Sequence, residues 1–155
     1  MKTIVSVIAG FMISVMYCSA QSGNQLNGLL ATSIEKHIRS KEQLVKEGAL
    51  VRDYLDKVVF LNDNFPGDFP FSKIAEEYSV AFFDDVKYGK SELRSGINVF
   101  RLLPVVLIDN TLSITIADGR LSKKRSSVTI SSSGGTTYVY GYSCDTKRWE
   151  LLETK

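Results

Sequence analysis

Few residues of this chain have types suited to catalysis, and the first to consider are a histidine and a cysteine. The 155-residue sequence contains one histidine, His37, and two cysteines, of which only Cys144 lies beyond the first twenty residues. A thiol beside an imidazole can act as a nucleophile. However, His37 falls in a segment with helical periodicity, where we expect a solvated side chain, and Cys144 falls at a strand end, where we expect a packed one. Zinc sites usually need three or four ligands. The sequence therefore predicts no catalytic residue, no metal site and no cofactor.

Two pairs of adjacent acids are the next candidates for chemistry. Glu76-Glu77 and Asp84-Asp85 supply the carboxyl groups that a glycoside hydrolase uses. That reaction requires two carboxyl groups that face each other across the sugar, whereas neighbours on a strand point to opposite faces. Adjacency therefore favours solvated charges over a catalytic pair.

The segment FLNDNFPGDFPFS, residues 60–72, is rich in oxygen ligands. A calcium loop that starts at its first asparagine would need an oxygen ligand at the fifth position and a bidentate acid at the twelfth. Those positions hold Pro66 and Lys73, so the calcium pattern fails. Asp63 and Asp68 remain candidate binding residues of a looser oxygen site.

The same segment carries four of the eight phenylalanines of the chain. Each proline pushes the residue before it, Phe65 or Phe69, toward extended geometry, and Gly67 permits a turn. We predict a rigid connector that is pinned to the core by its rings. The alternative is that Phe65 and Phe69 are exposed and recognise a partner or a glycan.

Three tyrosines, Tyr138, Tyr140 and Tyr142, recur at every second position near the C-terminal end. On a regular strand such residues project from one face. If helices cover that face, the rings belong to the core. If the face is open, it is a binding surface, because rigid aromatic rings contact ligands at low entropic cost. The three tyrosines are therefore candidate binding residues.

The charge of the chain indicates its partners only weakly. The formal net charge is +2, which argues against a dedicated nucleic-acid-binding protein, since phosphate-driven affinity needs clustered cations. Lys123-Lys124-Arg125 is the one dense basic run of the sequence, and serines and predicted strands on both sides place it at a hairpin tip. The alternative to a solvated tip is contact with an anionic surface.

The first 20 residues have the pattern of a secretory signal peptide. Lys2 precedes a run of 14 weakly polar to apolar residues, 4–17, and small residues follow at 18–20. The run is too short for a transmembrane anchor, which needs about 20 residues. We expect cleavage before Gln21 and no anchor in the mature chain. Lipoprotein processing at Cys18 is the alternative, although a bulky tyrosine precedes that cysteine.

The first half of the mature chain predicts helices followed by short strands. Residues 21–31 are polar and small, and we expect a flexible lead there. Apolar residues at helical spacing predict one or two amphipathic helices over about 32–56. Apolar segments at 57–61 and 78–83 are typical of short strands.

The second half predicts a sheet. From residue 97 onward, apolar positions alternate with polar ones, and turn residues such as Asp109-Asn110 and Gly134-Gly135 separate them. These patterns predict successive hairpins. We therefore expect one α+β domain over residues 32–155, with one or more N-terminal amphipathic helices packed on a mainly antiparallel meander sheet.

Three stretches resemble small exported proteins of Bacteroidetes-type bacteria: the Ser-Ala-Gln signal end, the segment NFPGDFPF and the closing YSCDTKRWELLETK. The resemblance implies a bacterial envelope setting, in the periplasm or at the cell surface. It implies no known activity and carries no functional residue over to this chain.

Together these observations favour a non-enzymatic exported module that binds a protein, a peptide or a glycan. One alternative is a small periplasmic hydrolase-type enzyme, which would need convergent polar groups such as Cys144, His37 and a carboxylate. Another is a self-associating structural component that uses a strand edge near Pro104. A mass in light scattering that stays monomeric at all concentrations would exclude the last alternative.

The expected cleavage can be measured directly. When the chain is expressed in a Gram-negative host, we expect the periplasmic protein to have the intact mass of residues 21–155, because signal peptidase cuts after small residues. A mass increased by acyl chains on Cys18 would instead support lipoprotein processing. An uncleaved chain retained in the cytoplasm would contradict export.

Overall fold

A long helix lies on one face of a seven-stranded sheet, and the fold is α+β. The computed structural model describes residues 25–72, 74, 78–84 and 87–155, so the predicted signal peptide lies outside the described residues. Helix α1 spans residues 25–46. No helix in the described part of the chain is long and apolar enough to span a membrane.

The sheet is mixed. After a short 3-10 helix, Arg52–Leu55, the strands are β1 (Val58–Phe60), β2 (Val80–Phe82), β3 (Ile97–Leu102), β4 (Val106–Ile108), β5 (Thr111–Lys124), β6 (Ser127–Ser143) and β7 (Arg148–Thr154), and helix α2 (Lys90–Ser95) precedes β3. The order is β2-β1-β3-β5-β6-β7, with β4 paired to β5. β1 runs parallel to β2 and β3, and the other pairs are antiparallel.

The expectation of a mainly antiparallel meander therefore holds only in part, because β1 pairs in parallel with β2 and β3. Parallel neighbours require a connection of a dozen residues or more. The segments that follow β1 and β2 are long enough to return the chain to the same end of the sheet, and this is why the strands of the first half add in parallel.

Helix α1 begins earlier than the sequence predicts. Residues 25–31 were expected to form a flexible lead, but they are helical, because Leu30 is buried in the core and Leu26 and Leu29 pack against it. The helix also ends at residue 46, before the expected end at about 56. Gly48 follows with a φ of 74°, a left-handed conformation that glycine adopts readily after a helix.

The hairpin expected at Gly134-Gly135 is not formed, because both glycines lie inside strand β6. The strand runs without interruption over Ser127–Ser143 and pairs with β5 along its length. Gly134 has a φ of 137°, which L side chains rarely adopt. A Cβ at Gly135 would lie 2.8 Å from the carbonyl oxygen of Ile116. The two glycines therefore allow a bulge and a close approach of two backbones, and they do not form a turn.

The bulge determines which side chains of β6 face α1. Asp118 pairs with Gly134 but Gly119 pairs with Ser132, so β6 has one extra residue at this point. After the bulge the even-numbered residues of β6 point toward α1. Before it, Ile130 lies on the opposite side of the sheet, which we call the outer face, beside Gly119.

Helix α2 covers only one end of the outer face. Leu93 of α2 is buried with Val99 of β3 and Leu121 of β5, and these residues belong to a second, smaller hydrophobic core. This core holds the short helix against the sheet near the β5–β6 hairpin tip.

The role of Gly135 gives a stability prediction. Gly135→Ala should lower the free energy of unfolding by about 1–3 kcal/mol, because the new methyl group must displace the β5 backbone. Gly28→Ala is the control, since no atom lies within 4 Å of a Cβ at this helical position and alanine favours a helix by about 1 kcal/mol. Urea unfolding measures both. Equal effects of the two substitutions would contradict the close approach at Gly135.

Candidate functional site

The most polar feature of the core is a buried carboxylate that joins α1 to β5. Asp118 Oδ1 lies 2.8 Å from His37 Nε2, and its Oδ2 lies 2.5 Å from Lys41 Nζ. His37 is 0% exposed, and its ring packs edge-on against Phe100 with 5.1 Å between centroids. The sequence favoured a solvated histidine, but His37 and Lys41 are four residues apart and so share the helix face that meets the sheet.

The charge of this network is set by opposing effects on Asp118. Burial raises the pKa of its carboxyl group, whereas hydrogen bonds from His37 and Lys41 and the charges of both lower it, and the net result is a pKa below the ordinary value. Burial, with smaller effects of Tyr140 and Asp118, also raises the pKa of Tyr138 to about 12. Because His37 and Asp118 are buried, the network is closed to ligands and its role is structural.

Cys144 does not join this network. It is exposed, in the turn that follows β6. His37 is fully buried and its Nε2 bonds to Asp118, whereas Cys144 is exposed, and among the described residues no thiol bonds to the imidazole. The pair of Cys144 and His37 that a hydrolase would need is therefore not formed.

The tyrosine stripe is mostly core. Tyr138 and Tyr140 are 2% and 3% exposed, and the Tyr140 hydroxyl lies 2.9 Å from the hydroxyl of Ser33 on α1. Tyr142 is half-buried, with its ring edge-on to Trp149 at 5.4 Å. The proposed open tyrosine face is therefore wrong for Tyr138 and Tyr140, because the bulge in β6 turns them toward α1.

The phenylalanine segment packs on itself and on the strands. Phe65 is half-buried, with centroid distances of 5.2–5.8 Å to the rings of Phe60, Phe69, Phe71 and Phe82. Phe69 is also half-buried, and it contacts Phe71 at 6.0 Å. These contacts are those of a connector pinned to the core, and they leave little of either ring for a partner.

The two aspartates of that segment have different partners. Asp63 Oδ2 accepts a hydrogen bond of 2.6 Å from Arg101 Nε, and Asp68 accepts one of 3.3 Å from Asn27 Nδ2. Among the described residues, no three or more His, Cys, Asp or Glu side chains form a group that could hold a metal ion. The structure therefore does not join Asp63 and Asp68 in one oxygen site.

The surface feature with a clear chemical character is a basic pocket of about 540 Å³ between α2 and the tip of the β5–β6 hairpin. Its described lining residues are Tyr88, Lys90, Leu93, Arg94, Lys123 and Arg125. Four of these residues are cationic and none is acidic. We call this group the basic pocket.

Two elements position the cations of the basic pocket. Lys90 and Arg94 are four residues apart on α2, so they extend from the same side of the helix that buries Leu93. Lys123 lies two residues after the buried Leu121 and points from the same face of β5. Arg125 forms the turn, with a left-handed φ of 59°.

The position of one wall of this pocket, the hairpin tip, follows from the sequence. The run Lys123-Lys124-Arg125 was correctly expected at a hairpin tip, since β5 ends at Lys124 and pairs there with Ser127. Lys90 and Arg94 lie in the polar, glycine-bounded segment 87–96, whose sequence is typical of a loop with one helical turn at most. Their four-residue spacing around Leu93 was a usable signal, but only the tertiary structure brings α2 next to the tip.

The edge strand β4 follows Pro104, where the self-association alternative was placed. Its residues Val106, Leu107 and Ile108 are 45%, 61% and 64% exposed. β4 pairs with β5. This edge is the surface on which the alternative of a self-associating component depends.

Comparison of the chain with protein-family models, with curated proteins and with solved structures finds no match. Function must therefore be inferred from the geometry and the chemistry of the site itself.

The buried carboxylate predicts how stability depends on pH. Asp118→Asn should lower the free energy of unfolding at pH 7 by about 3–5 kcal/mol, the usual cost of breaking a buried ion pair. Because the folded pKa of Asp118 lies below the unfolded value near 3.9, its contribution is complete above about pH 5 and is lost as the pH falls through the folded pKa. The difference between wild type and variant should therefore shrink at low pH.

Asp63→Asn is the matched control for this experiment. It removes a partly exposed partner of Arg101, so it should cost less than about 1 kcal/mol. Urea unfolding between pH 7 and pH 2 measures both variants. A cost of Asp118→Asn that does not change with pH would contradict an ionised, hydrogen-bonded Asp118.

Proposed function

We propose that this chain is a non-enzymatic exported binding module of the bacterial envelope and that it binds an anionic group in its basic pocket. The observation that carries this proposal is the convergence of four cationic side chains from two separate elements, helix α2 and the tip of the β5–β6 hairpin. Several cations placed close together attract an anion more strongly than one cation does.

Two local costs support this assignment. Like charges four residues apart on a helix, as at Lys90 and Arg94, are destabilising. Arg125 has a left-handed backbone conformation that asparagine or glycine would adopt at lower energy. Both features cost stability at one place. An anion that receives hydrogen bonds from guanidinium forks and an ammonium group would offset them.

The envelope setting is supported by the sequence. The pattern of a signal peptide and the resemblance to small exported proteins of Bacteroidetes-type bacteria favour the periplasm or the cell surface. Candidate anionic groups are phosphates, sulfates and carboxylates, and the formal net charge of +2 argues against nucleic acids as the partner. The partner expected from the sequence, a protein, a peptide or a glycan, is therefore one that carries negative charge.

The enzyme alternative has less support. The thiol and the imidazole that the sequence offers for a hydrolase are not in contact, since Cys144 is exposed and His37 is buried against Asp118. The cations of the basic pocket bind and orient anions. Among its described lining residues only Tyr88 carries a hydroxyl group, and no imidazole or thiol accompanies it.

A titration with inorganic pyrophosphate tests the proposal. In isothermal titration at low ionic strength we expect the wild-type protein to bind, and the double variant Lys90→Glu/Arg94→Glu to bind at least about tenfold more weakly, because two attractive charges become repulsive. Affinity should fall as salt is added, since exposed charges are screened.

The control makes the same change of charge elsewhere. Lys36 and Lys46 are exposed on α1, so Lys36→Glu/Lys46→Glu alters the net charge equally without touching the pocket. Thermal unfolding verifies that both double variants are folded. Equal losses of affinity in the two, or a wild-type protein that does not bind pyrophosphate, would refute the proposal.

A further inference from the structure

A second pocket, of about 340 Å³, adjoins the basic pocket and shares Tyr88 with it. Its described lining is polar and has charges of both signs. The polar and charged side chains are Asp56, Lys57, Glu92, Ser95, Asn98 and Arg120. We call this group the polar pocket.

Helix α2 separates the two pockets. Lys90 and Arg94 face the basic pocket, whereas Glu92 and Ser95 line the polar one. Tyr88, just before the helix, lines both. A ligand that occupies both pockets therefore passes over Tyr88, and it meets cations at one end and hydrogen-bonding groups of both kinds at the other.

The carboxylates of the polar pocket decide what it can accept. Glu92 is held in place, since its Oε2 accepts a hydrogen bond of 2.8 Å from the backbone N–H of Gly89 and its Oε1 lies 3.8 Å from Lys57 Nζ. The two cations of the pocket, Lys57 and Arg120, balance its two carboxylates, so the pocket has no net charge that would attract a second anion. Its carboxylates accept hydrogen bonds from hydroxyl groups. Asn98 both donates and accepts. The pocket therefore suits an uncharged part of a ligand that is rich in hydroxyl groups.

Tyr88 provides a rigid platform between the pockets. Its ring stacks on Phe83 with 5.6 Å between centroids and an interplanar angle of 22°, and Lys57 Nζ lies 5.7 Å from the ring centre. A tyrosine hydroxyl keeps its proton at neutral pH and can donate a hydrogen bond. Burial, with the nearby carboxylates of Glu92 and Asp84, raises the pKa of Tyr88 further. An aromatic ring with a polar tip fits the mixed surface of a sugar.

We infer that the ligand is a sugar with one anionic substituent, which places the charged group in the basic pocket and its hydroxyl groups in the polar pocket across Tyr88. This inference rests on the proposed function. An acidic peptide fits less well, because the polar pocket offers its further carboxylates no net positive charge.

Four probes separate the two pockets: inorganic phosphate, maltose, maltose 1-phosphate and an acidic phosphoserine peptide. Titration calorimetry should show that maltose 1-phosphate binds at least tenfold more tightly than inorganic phosphate and that maltose alone binds most weakly. The ratio of the affinity for maltose 1-phosphate to that for inorganic phosphate measures the contribution of the polar pocket. The affinity for inorganic phosphate measures the contribution of the basic pocket.

Two double variants complete the experiment. Asp56→Ala/Asn98→Ala should abolish the gain from the sugar, while inorganic phosphate binds as before or slightly more tightly because a carboxylate is removed. Lys90→Glu/Arg94→Glu should weaken both phosphate ligands at least tenfold. Asp145→Ala, in the exposed turn after β6, is the control for loss of a carboxylate and should leave all affinities unchanged.

The outcomes distinguish the inference from the function on which it rests. If maltose 1-phosphate binds no more tightly than inorganic phosphate, or if the phosphopeptide binds more tightly than the sugar phosphate, the sugar assignment is wrong and the anion-binding function stands. If inorganic phosphate, pyrophosphate and maltose 1-phosphate all fail to bind, both are wrong.

Discussion

The buried carboxylate of Asp118 is the constraint on which the arrangement of the protein depends. A carboxylate in a protein core is costly unless charged or hydrogen-bonding partners surround it, and here both partners come from α1. His37 and Lys41 meet Asp118 together only when the helix lies at one position along β5. The apolar contacts of Leu30, Ile34 and Ile38 supply the affinity of helix for sheet, and the ionic contacts select its register.

This register decides which surfaces remain for a partner. Helix α1 covers the face of the sheet opposite the outer face, so the rings of Tyr138 and Tyr140 are in the core. These two tyrosines, which the sequence suggests as binding residues, therefore cannot contact a partner. Among the described residues, α2 covers the outer face where Leu93 packs on Val99 and Leu121. The basic and polar pockets form at that point, because α2 is held beside a hairpin tip that extends past the main core.

The sequence predicts the parts of the fold that depend on local patterns. The α+β class, the hairpin tip at Lys123-Lys124-Arg125 and the packing of the phenylalanine segment follow from periodicity, turn residues and the conformational limits of proline. The helical structure of residues 25–31 does not, since a polar, small-residue segment becomes helical only when Leu30 finds a core to enter. Gly134-Gly135 has the local pattern of a turn, and only the neighbouring strand shows that the glycines serve a close backbone approach.

The candidate site was harder to predict than the fold. Its members come from α2 and from the β5–β6 hairpin, about 30 residues apart in the chain, and no local pattern indicates that they meet. His37 shows the same limit, because the burial of one histidine depends on a carboxylate 81 residues away. In both cases the chemical character of a residue is set by partners that folding supplies.

The location of binding is most directly tested by amide chemical-shift mapping with inorganic pyrophosphate. We expect the largest chemical-shift changes in residues 87–95 and 121–127, which form the two walls of the basic pocket. We expect small changes in α1, where His37 and Lys41 are bound to Asp118. Shifts centred on α1, on β4 or on β7, or a spectrum that pyrophosphate leaves unchanged, would contradict this expectation.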